Sequence, residues 1–554
     1  MPHSNHLEFP GSTKFYHCWE GSAESVAFDD EGMRAMMLNA ALPLYVVKID
    51  ERIGMTQTGI PTSTGSSRTA TPQLLVNAPP LLPEQLGDER FRVTHGVKYA
   101  YATGAMANGI ASEEMVIALG RNGLLGTFGA GGLVPTRIEA AIHRIQQALP
   151  TESYAFNLIH SPSEPAIEQA AVDLYLKYGV TTVEASAFLN LTPNIIRYRV
   201  AGLSRRGDEI VIGNKIIAKV SRLEVATHFL QPAPYTVLKQ MVDSGQINQL
   251  QAQLAEQVPM CDDLTVEADS GGHTDNRPLV CLLPAIIALR DEIQERFGYT
   301  RLVRVGAAGG IGTPLAVHAA FSMGAAYVVT GSVNQSCLEA GASRHTKKLL
   351  AEAELTDVAM APAADMFELG VKLQVLKRGT LFASRAQKLF ELYRTHESLD
   401  AISSTEREKL EKQIFRRSLA EVWRDTITFF EGRDPVQIQR AMDNPKRKMA
   451  LVFRWYLGLS SHWSNAGETG READYQIWCG PAMGAFNQWV KNTYLAESAN
   501  RSVLDVSWHL MRGAAILQRL EFMRLQGLRI PMTWNHYRPD ERAIQTSRVL
   551  EVHR

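Results

Sequence analysis

Between Val97 and Thr330, short apolar runs alternate with amphipathic stretches. The runs are Tyr99–Ala102, Leu124–Phe128, Tyr154–Ile159, Thr181–Ala185, Ile210–Val220 (one strand, which a break could divide in two), Leu264–Ala268, Leu302–Ala307 and Ala325–Thr330. Runs of this length, without strict polar alternation, predict strands buried on both faces. The segments between them carry helix signals. Ser112 precedes Glu113 and Glu114, a cap followed by acidic residues that suit the positive helix start. Pro135–Leu149 has proline at its start and Pro150 after its end. Glu164–Tyr178 stops at Gly179, and Leu279–Phe297 stops at Gly298. Ser221–Phe229, a polar helical stretch over Val237–Gln257, and Thr313–Met323 complete the set.

Eight such strand–helix units in about 230 residues predict an α/β fold, the closed (β/α)8 TIM barrel. An open doubly wound sheet is the alternative. It would carry its main phosphate loop after the first strand. Here the strongest glycine loops follow the last three strands, which favours the barrel. The expected organisation is an N-terminal lead-in segment over 1–95, the barrel over 96–365, and an additional C-terminal helical domain with a tail over 366–554.

In the lead-in, Thr56–Ser67 is a loop by composition, and Phe15, Tyr16 and Trp19 are expected to anchor the segment. In the C-terminal part helical periodicity dominates, as in Ser404–Phe429. Trp423, Trp455, Trp463, Trp478, Trp489, Trp508 and Trp534 lie there.

Composition narrows the partners. The 554 residues are 45% hydrophobic and 21% charged, with a formal net charge of -1. That balance argues against a nucleic acid recognised by bulk charge. Five cysteines without CxxC spacing fit a reducing compartment rather than a disulfide framework. No apolar run reaches the ~18 residues of a membrane span, and the first residues, Met1-Pro2-His3-Ser4-Asn5-His6, do not read as a signal peptide. A cytoplasmic setting without membrane contact is expected.

Three glycine loops then carry the chemistry: Ser270-Gly271-Gly272-His273, Gly306-Ala307-Ala308-Gly309-Gly310-Ile311 and Thr330-Gly331-Ser332. Backbone N–H groups freed at Gly309, Gly310 and Gly331, with the Ser332 hydroxyl, suit a phosphate dianion. Phosphate sites in these barrels follow the seventh and eighth strands. His273 sits at the end of the sixth strand, where an imidazole can donate a proton, with Asp269 or Asp275 to orient it. Lys215 and Lys219 lie in one predicted strand, where a lysine could stabilise developing negative charge. Cys337 has no neighbouring base and reads as buried structure. No HExxH, HxxxH or paired-cysteine pattern occurs, so no metal is expected.

Gly104-Ala105-Met106, Asn157-Leu158-Ile159, Ala218-Lys219-Val220, Glu267-Ala268-Asp269-Ser270-Gly271-Gly272-His273 and the two phosphate loops resemble the motifs of nitronate monooxygenase-type flavoproteins. With Thr274-Asp275 and Gly480-Pro481-Ala482-Met483-Gly484-Ala485-Phe486-Asn487, nearly the whole chain resembles the trans-acting enoyl reductases of bacterial polyketide and polyunsaturated fatty acid synthases. The resemblance implies FMN, with its phosphate on Gly309, Gly310, Gly331 and Ser332. Asn157 and Lys219 would approach the flavin or ribityl group, and Gly104, Ala105 and Met106 the ring. Ser270, Gly271 and Gly272 would line the cofactor edge, with His273 catalytic. It also implies NADPH, or NADH, as hydride donor and an acyl carrier protein bearing the enoyl substrate, and it allows a homodimer. Arg416, Arg417, Lys446, Arg447 and Lys448 are candidates for docking that acidic carrier. The alternative is a nitronate monooxygenase, which would oxidise small nitronates with O2.

Overall fold

The computed structural model describes residues 17–63, 72–160 and 165–542. Phe15, Tyr16, the first six residues and the last twelve lie outside the described residues. The chain forms two compact units, Met1–Leu86 with Met511–Tyr537, and Gly87–Leu510 with Arg538–Arg554.

The first unit is built on a five-stranded antiparallel sheet in the order Arg52–Thr56, Leu44–Ile49, Gln73–Ala78, Cys18–Glu20, Ile60–Thr62. The last strand falls inside the stretch expected as loop, because Ile60–Thr62 pairs with Cys18–Glu20. Trp19 anchors the unit's own core, fully buried against Val26, Tyr45 and Val47. Its indole N–H donates to the Thr58 carbonyl at 3.0 Å.

The second unit holds the barrel. Its eight parallel strands are β1 (Tyr101–Thr103), β2 (Leu125–Phe128), β3 (Ala155–Ile159), β4 (Thr182–Ser186), β5 (Lys215–Val220), β6 (Asp263–Glu267), β7 (Arg304–Ala308) and β8 (Val328–Thr330). Each pairs with its neighbours in chain order, and β8 closes on β1 through Val328↔Tyr101. The strands are almost entirely buried, as their unbroken apolar runs require. Every expected barrel strand is present. The helices also start where their caps direct. Ser112 Oγ accepts from Met115 N–H, and Thr313 Oγ1 from Ala316 N–H.

Two local expectations change. Ile210–Ile212 belongs not to the barrel but to a hairpin, Leu203–Arg206 with Glu209–Ile212, turned at Gly207. β5 starts only at Lys215. The polar stretch after it is two helices, Tyr235–Asp243 and Gln249–Ala255, broken at Gly245.

After the barrel come β9 (Val358–Pro362) and β10 (Lys372–Leu376), antiparallel to each other. β10 also pairs with Gly272–His273. Extended structure therefore continues past residue 365 before the helices take over. Among these are Phe382–Thr395, Leu419–Glu431, the 22-residue Pro445–Ala466 and Ala482–Val490. Their hub is Asp474, fully buried and reached by Arg385, by Arg471 at 3.1 Å, by Arg416 at 3.4 Å and by the Tyr456 hydroxyl at 2.9 Å. A carboxylate can sit in that core because cations and a hydroxyl replace its water. No described helix is long and apolar enough to cross a membrane.

Candidate active site

The carboxyl ends of the barrel strands gather the expected residues. Asp269–Asn276 leaves β6 as a loop held at several points. Gln374, on β10, donates through Nε2 to Asp269 Oδ1 and to the Ser270 carbonyl, both at 2.8 Å. Asn276 Nδ2 donates to the same Asp269 oxygen at 2.8 Å. Gly272 and His273 then pair with Gln374 and Leu373. This strand pairing fixes the backbone on which His273 stands.

The His273 side chain is about a third exposed, and its Nε2 lies 3.1 Å from Asp365 Oδ1. Burial works against the imidazolium, but the hydrogen bond and charge of Asp365 outweigh it, and the His273 pKa is raised. Burial likewise opposes the Asp365 carboxylate, and the bond from His273 outweighs it, so the Asp365 pKa is lowered. Both groups touch solvent, which tempers the coupling. Asp365 thus has the orienting role expected of Asp269 or Asp275. Asp269 is instead a loop clamp. Asp275 accepts from Ser221 Oγ at 2.7 Å and forms an ion pair with Arg222 at 2.8 Å. Nothing near His273 in the chain signals Asp365, which the β9–β10 connection brings in.

Inside the barrel, Lys219 Nζ lies 3.2 Å from Glu267 Oε1 and 3.6 Å from Glu184 Oε1. Burial disfavours its charge, yet the two carboxylates outweigh that and raise its pKa, so it stays an ammonium. The Glu184 pKa is raised, first by burial and also by the Glu267 charge. Glu184 Oε1 accepts from Ala105 N–H at 3.2 Å, and Ser270 Oγ donates to Glu267 Oε1 at 3.4 Å. One polar network therefore links Ala105, Glu184, Lys219, Glu267 and Ser270, drawn from β4, β5 and β6 and from the segments just after β1 and β6. Asn157 joins from β3, its Nδ2 donating to the Glu184 carbonyl at 3.1 Å and to Ser186 Oγ at 3.0 Å. Gly104 N–H donates to the Thr330 carbonyl at 2.9 Å, and Met106 backs onto Gly129. Sequence reasoning gave Glu184 and Glu267 no role of their own, though both sit in strands of the barrel and Glu267 opens a matched motif.

At the other end, Gly309 and Gly310 turn with φ of 83° and 75°. A Cβ at Gly310 or Gly331 would meet nothing within 4 Å. The Pro314–Ser322 helix starts just beyond Gly309–Gly312. Open space beside two glycine backbones, the Ser332 hydroxyl and a helix start is a cradle that fits a phosphate dianion. Ser332 Oγ also accepts from Gly480 N–H at 3.0 Å. The loops after the last two strands thus form a cradle suited to an anion, and the loop after the sixth places a histidine against a carboxylate.

Other candidates stay outside the site. Cys337 is fully buried, and burial pushes its thiol pKa far up. The five basic residues of the helical region are engaged within it. Arg416 bonds Gly470 and Asp474, Arg417 Asp425, Lys446 the His396 carbonyl and Arg447 Gln437, while Lys448 Nζ lies 5.1 Å from the Trp423 ring centroid.

Comparison with known proteins agrees with this architecture. The family described as nitronate monooxygenase matches residues 92–389. The PfaD N-terminal domain of fatty acid synthases matches 19–80, and the inserted helical domain of [acyl-carrier-protein] S-malonyltransferase matches 396–475. A polyunsaturated fatty acid synthase component of Thraustochytrium sp. is 49% identical over 91% of this chain and 34% of its own length. Polyketide biosynthesis protein PksE of Bacillus subtilis is 44% identical over 79% of this chain and 58% of its own. The chain therefore spans less than two thirds of the length of these relatives. The crystal structure of the enoyl reductase domain of MlnA, from the macrolactin biosynthesis cluster of Bacillus amyloliquefaciens, is 39% identical with a TM-score of 0.76. The match covers 79% of this chain and 99% of that one. Fold and family match define a TIM barrel with an added helical domain. The chain belongs to the nitronate monooxygenase family, and its relatives include components of polyunsaturated fatty acid synthases and polyketide biosynthesis proteins.

Proposed function

We propose that the protein is an FMN-dependent enoyl reductase acting in trans on 2-enoyl thioesters carried by an acyl carrier protein, with NAD(P)H as electron source. The observation that carries this reading is the likeness over 99% of the MlnA enoyl reductase domain, at 39% identity and a TM-score of 0.76. Gly309, Gly310, Gly331 and Ser332 would hold the FMN phosphate. Gly104, Ala105, Met106, Asn157, Lys219, Ser270, Gly271 and Gly272 would hold the rest of the cofactor. Bound FMN supplies the hydride relay between NAD(P)H and the β-carbon of the substrate.

The chain's own residues handle charge and protons. Lys219, held as a cation by Glu184 and Glu267, offers fixed positive charge in a buried setting, where it acts more strongly than in water. His273 holds a proton against Asp365, with Nδ1 left to face the thioester oxygen. Donation there offsets the negative charge that develops on the oxygen, an effect worth about 100- to 10,000-fold. Asp365 is the positioning residue that keeps the proton on His273.

The test is spectroscopic. Purified protein should be yellow, bleach anaerobically with NADPH and recolour on adding crotonyl thioester. Protein that never bleaches would sink the reading. The family's name favours a second reading, oxidation of small nitronates with O2. Oxygen uptake with an alkyl nitronate, and none of the thioester-driven NADPH oxidation, would select it.

A further inference from the structure

Three features reach beyond the residues assigned above. A second histidine–carboxylate pair, His160 Nδ1 with Glu168 Oε2 at 3.0 Å, stands beyond β3. Its acidic member is also tied to Thr192, and the His160 backbone N–H donates to the Ser186 carbonyl at 3.0 Å, which makes the pair a brace behind Asn157. The buried trio His95, Asp263 and Arg304 lies at the opposite, amino-terminal ends of the strands, away from the site. The third feature is the segment Ile477–Ala482, which crosses all three glycine loops.

This segment is held along β10. Leu376 N–H donates to the Ile477 carbonyl at 2.8 Å, Val375 bridges Trp478, and Cys479 N–H donates to the Gln374 carbonyl at 3.3 Å. It then meets each loop by close backbone approach. A Cβ on Gly271 would lie 2.8 Å from Cys479 N, and one on Gly312 would collide with the Ala482 carbonyl. A Cβ on Gly480 would lie 2.7 Å from Gly271 N and 3.0 Å from Ser270 Cα. At the third loop, Gly480 N–H donates to Ser332 Oγ at 3.0 Å. One tetrapeptide, Cys479–Ala482, therefore spans the loops after β6, β7 and β8.

We infer that Gly480 is a positioning residue for the cofactor phosphate. Its N–H occupies Ser332 Oγ as an acceptor and leaves the Ser332 hydroxyl proton to be donated into the cradle beside Gly310 and Gly331. The physical reason is the valence of a hydroxyl. It has one proton and two lone pairs, so an oxygen held from one side by a donor is oriented to donate from another. No acceptor for that proton is found among the described residues. Donation to a dianion is charge-assisted and stronger than a neutral bond. Glycine is required at 480 because any side chain would enter the Ser270–Gly271 turn. The C-terminal region thus supplies part of the phosphate site, and the inference rests on the FMN reading above.

The test compares FMN with riboflavin, which lacks the phosphate. Flavin-free protein is titrated with each while flavin fluorescence is followed. In wild type, FMN should bind more tightly than riboflavin. Gly480→Ala also presses on the Ser270–Gly271 turn, so it should weaken FMN by roughly tenfold or more, the scale of one hydrogen bond to a charged group, beyond any loss of riboflavin affinity. Ser332→Ala removes the hydroxyl but leaves the close approach of Gly480 to Ser270 and Gly271 in place, and serves if G480A does not fold. It should lose the same FMN preference, and G480A/S332A should be no worse than the weaker single variant. A preference for FMN that survives G480A, or an equal loss of both flavins, would overturn the inference alone. Additive losses in the double variant would also overturn it, since both changes act on one hydroxyl. A wild-type protein without any FMN preference would overturn the phosphate reading, and the inference with it.

Discussion

His273 Nε2 and Asp365 Oδ1 stand 3.1 Å apart although 92 positions separate them in the chain. Asp365 raises the pKa of His273, so the imidazolium persists to higher pH than a free histidine would allow. If the protonated form is the working form, activity falls as pH rises through that raised value. Asp365→Asn should move this falling limb to lower pH and reduce kcat at pH 8 by about tenfold. A pH profile of kcat for both proteins checks it. An unmoved limb would remove Asp365 from the mechanism.

His273→Ala should leave flavin content unchanged, because no phosphate contact is assigned to the imidazole. Turnover with an enoyl thioester should drop by about 100-fold or more. Flavin absorbance per protein and steady-state NADPH oxidation measure the two effects separately. Full turnover would exclude His273 as the proton source.

Lys219 sits between Glu267 at 3.2 Å and Glu184 at 3.6 Å in a mostly buried setting. Removing the cation leaves two carboxylates facing each other without compensation. Lys219→Met should therefore destabilise the protein by about 3–5 kcal/mol, and Lys219→Met with Glu184→Gln should recover part of that loss. Urea unfolding of the three proteins provides the comparison. Equal losses in the single and double variants would contradict the coupling.

Asp263 is fully buried, bonded to Arg304 Nε at 2.6 Å and to His95 Nε2 at 2.7 Å. Burial pushes its carboxyl up, but the Arg304 and His95 charges prevail and hold its pKa at about 2. Its unfolded value is about 3.9. The stabilisation is thus present above pH ~4 and lost as pH falls toward 2. Asp263→Asn should lower stability at pH 7 by about 3–5 kcal/mol, with a smaller deficit near pH 2.5. Melting temperatures across pH 2.5–7 test this, and a pH-independent deficit would argue against it.

Local chemistry made much of the fold and site legible. Apolar runs of strand length, glycine turns and capped helices mark all eight barrel strands, because each is a property of neighbouring residues. The Ile210–Val220 stretch divides between a hairpin and β5. A β-branched run does not reveal that division, since it does not say which neighbour its strand takes. The glycine loops could be read because tight turns and phosphate cradles need glycine wherever they occur.

The sequence by itself determined the alternation of strand and helix, the position of the glycine loops after the sixth, seventh and eighth strands, and the histidine at the sixth. These follow from periodicity and backbone freedom, which act over a few residues. Only the tertiary structure decided that Asp365, not Asp269 or Asp275, faces His273. It also decided that Glu184 and Glu267 share Lys219, and that Gly480 bonds Ser332 from 148 positions away. Such partners are chosen by barrel closure and by the pairing of β10 with both Gly272–His273 and the segment before Gly480. Hydrogen bonds and charges act through space, and the distance between two residues in space is set by the whole chain.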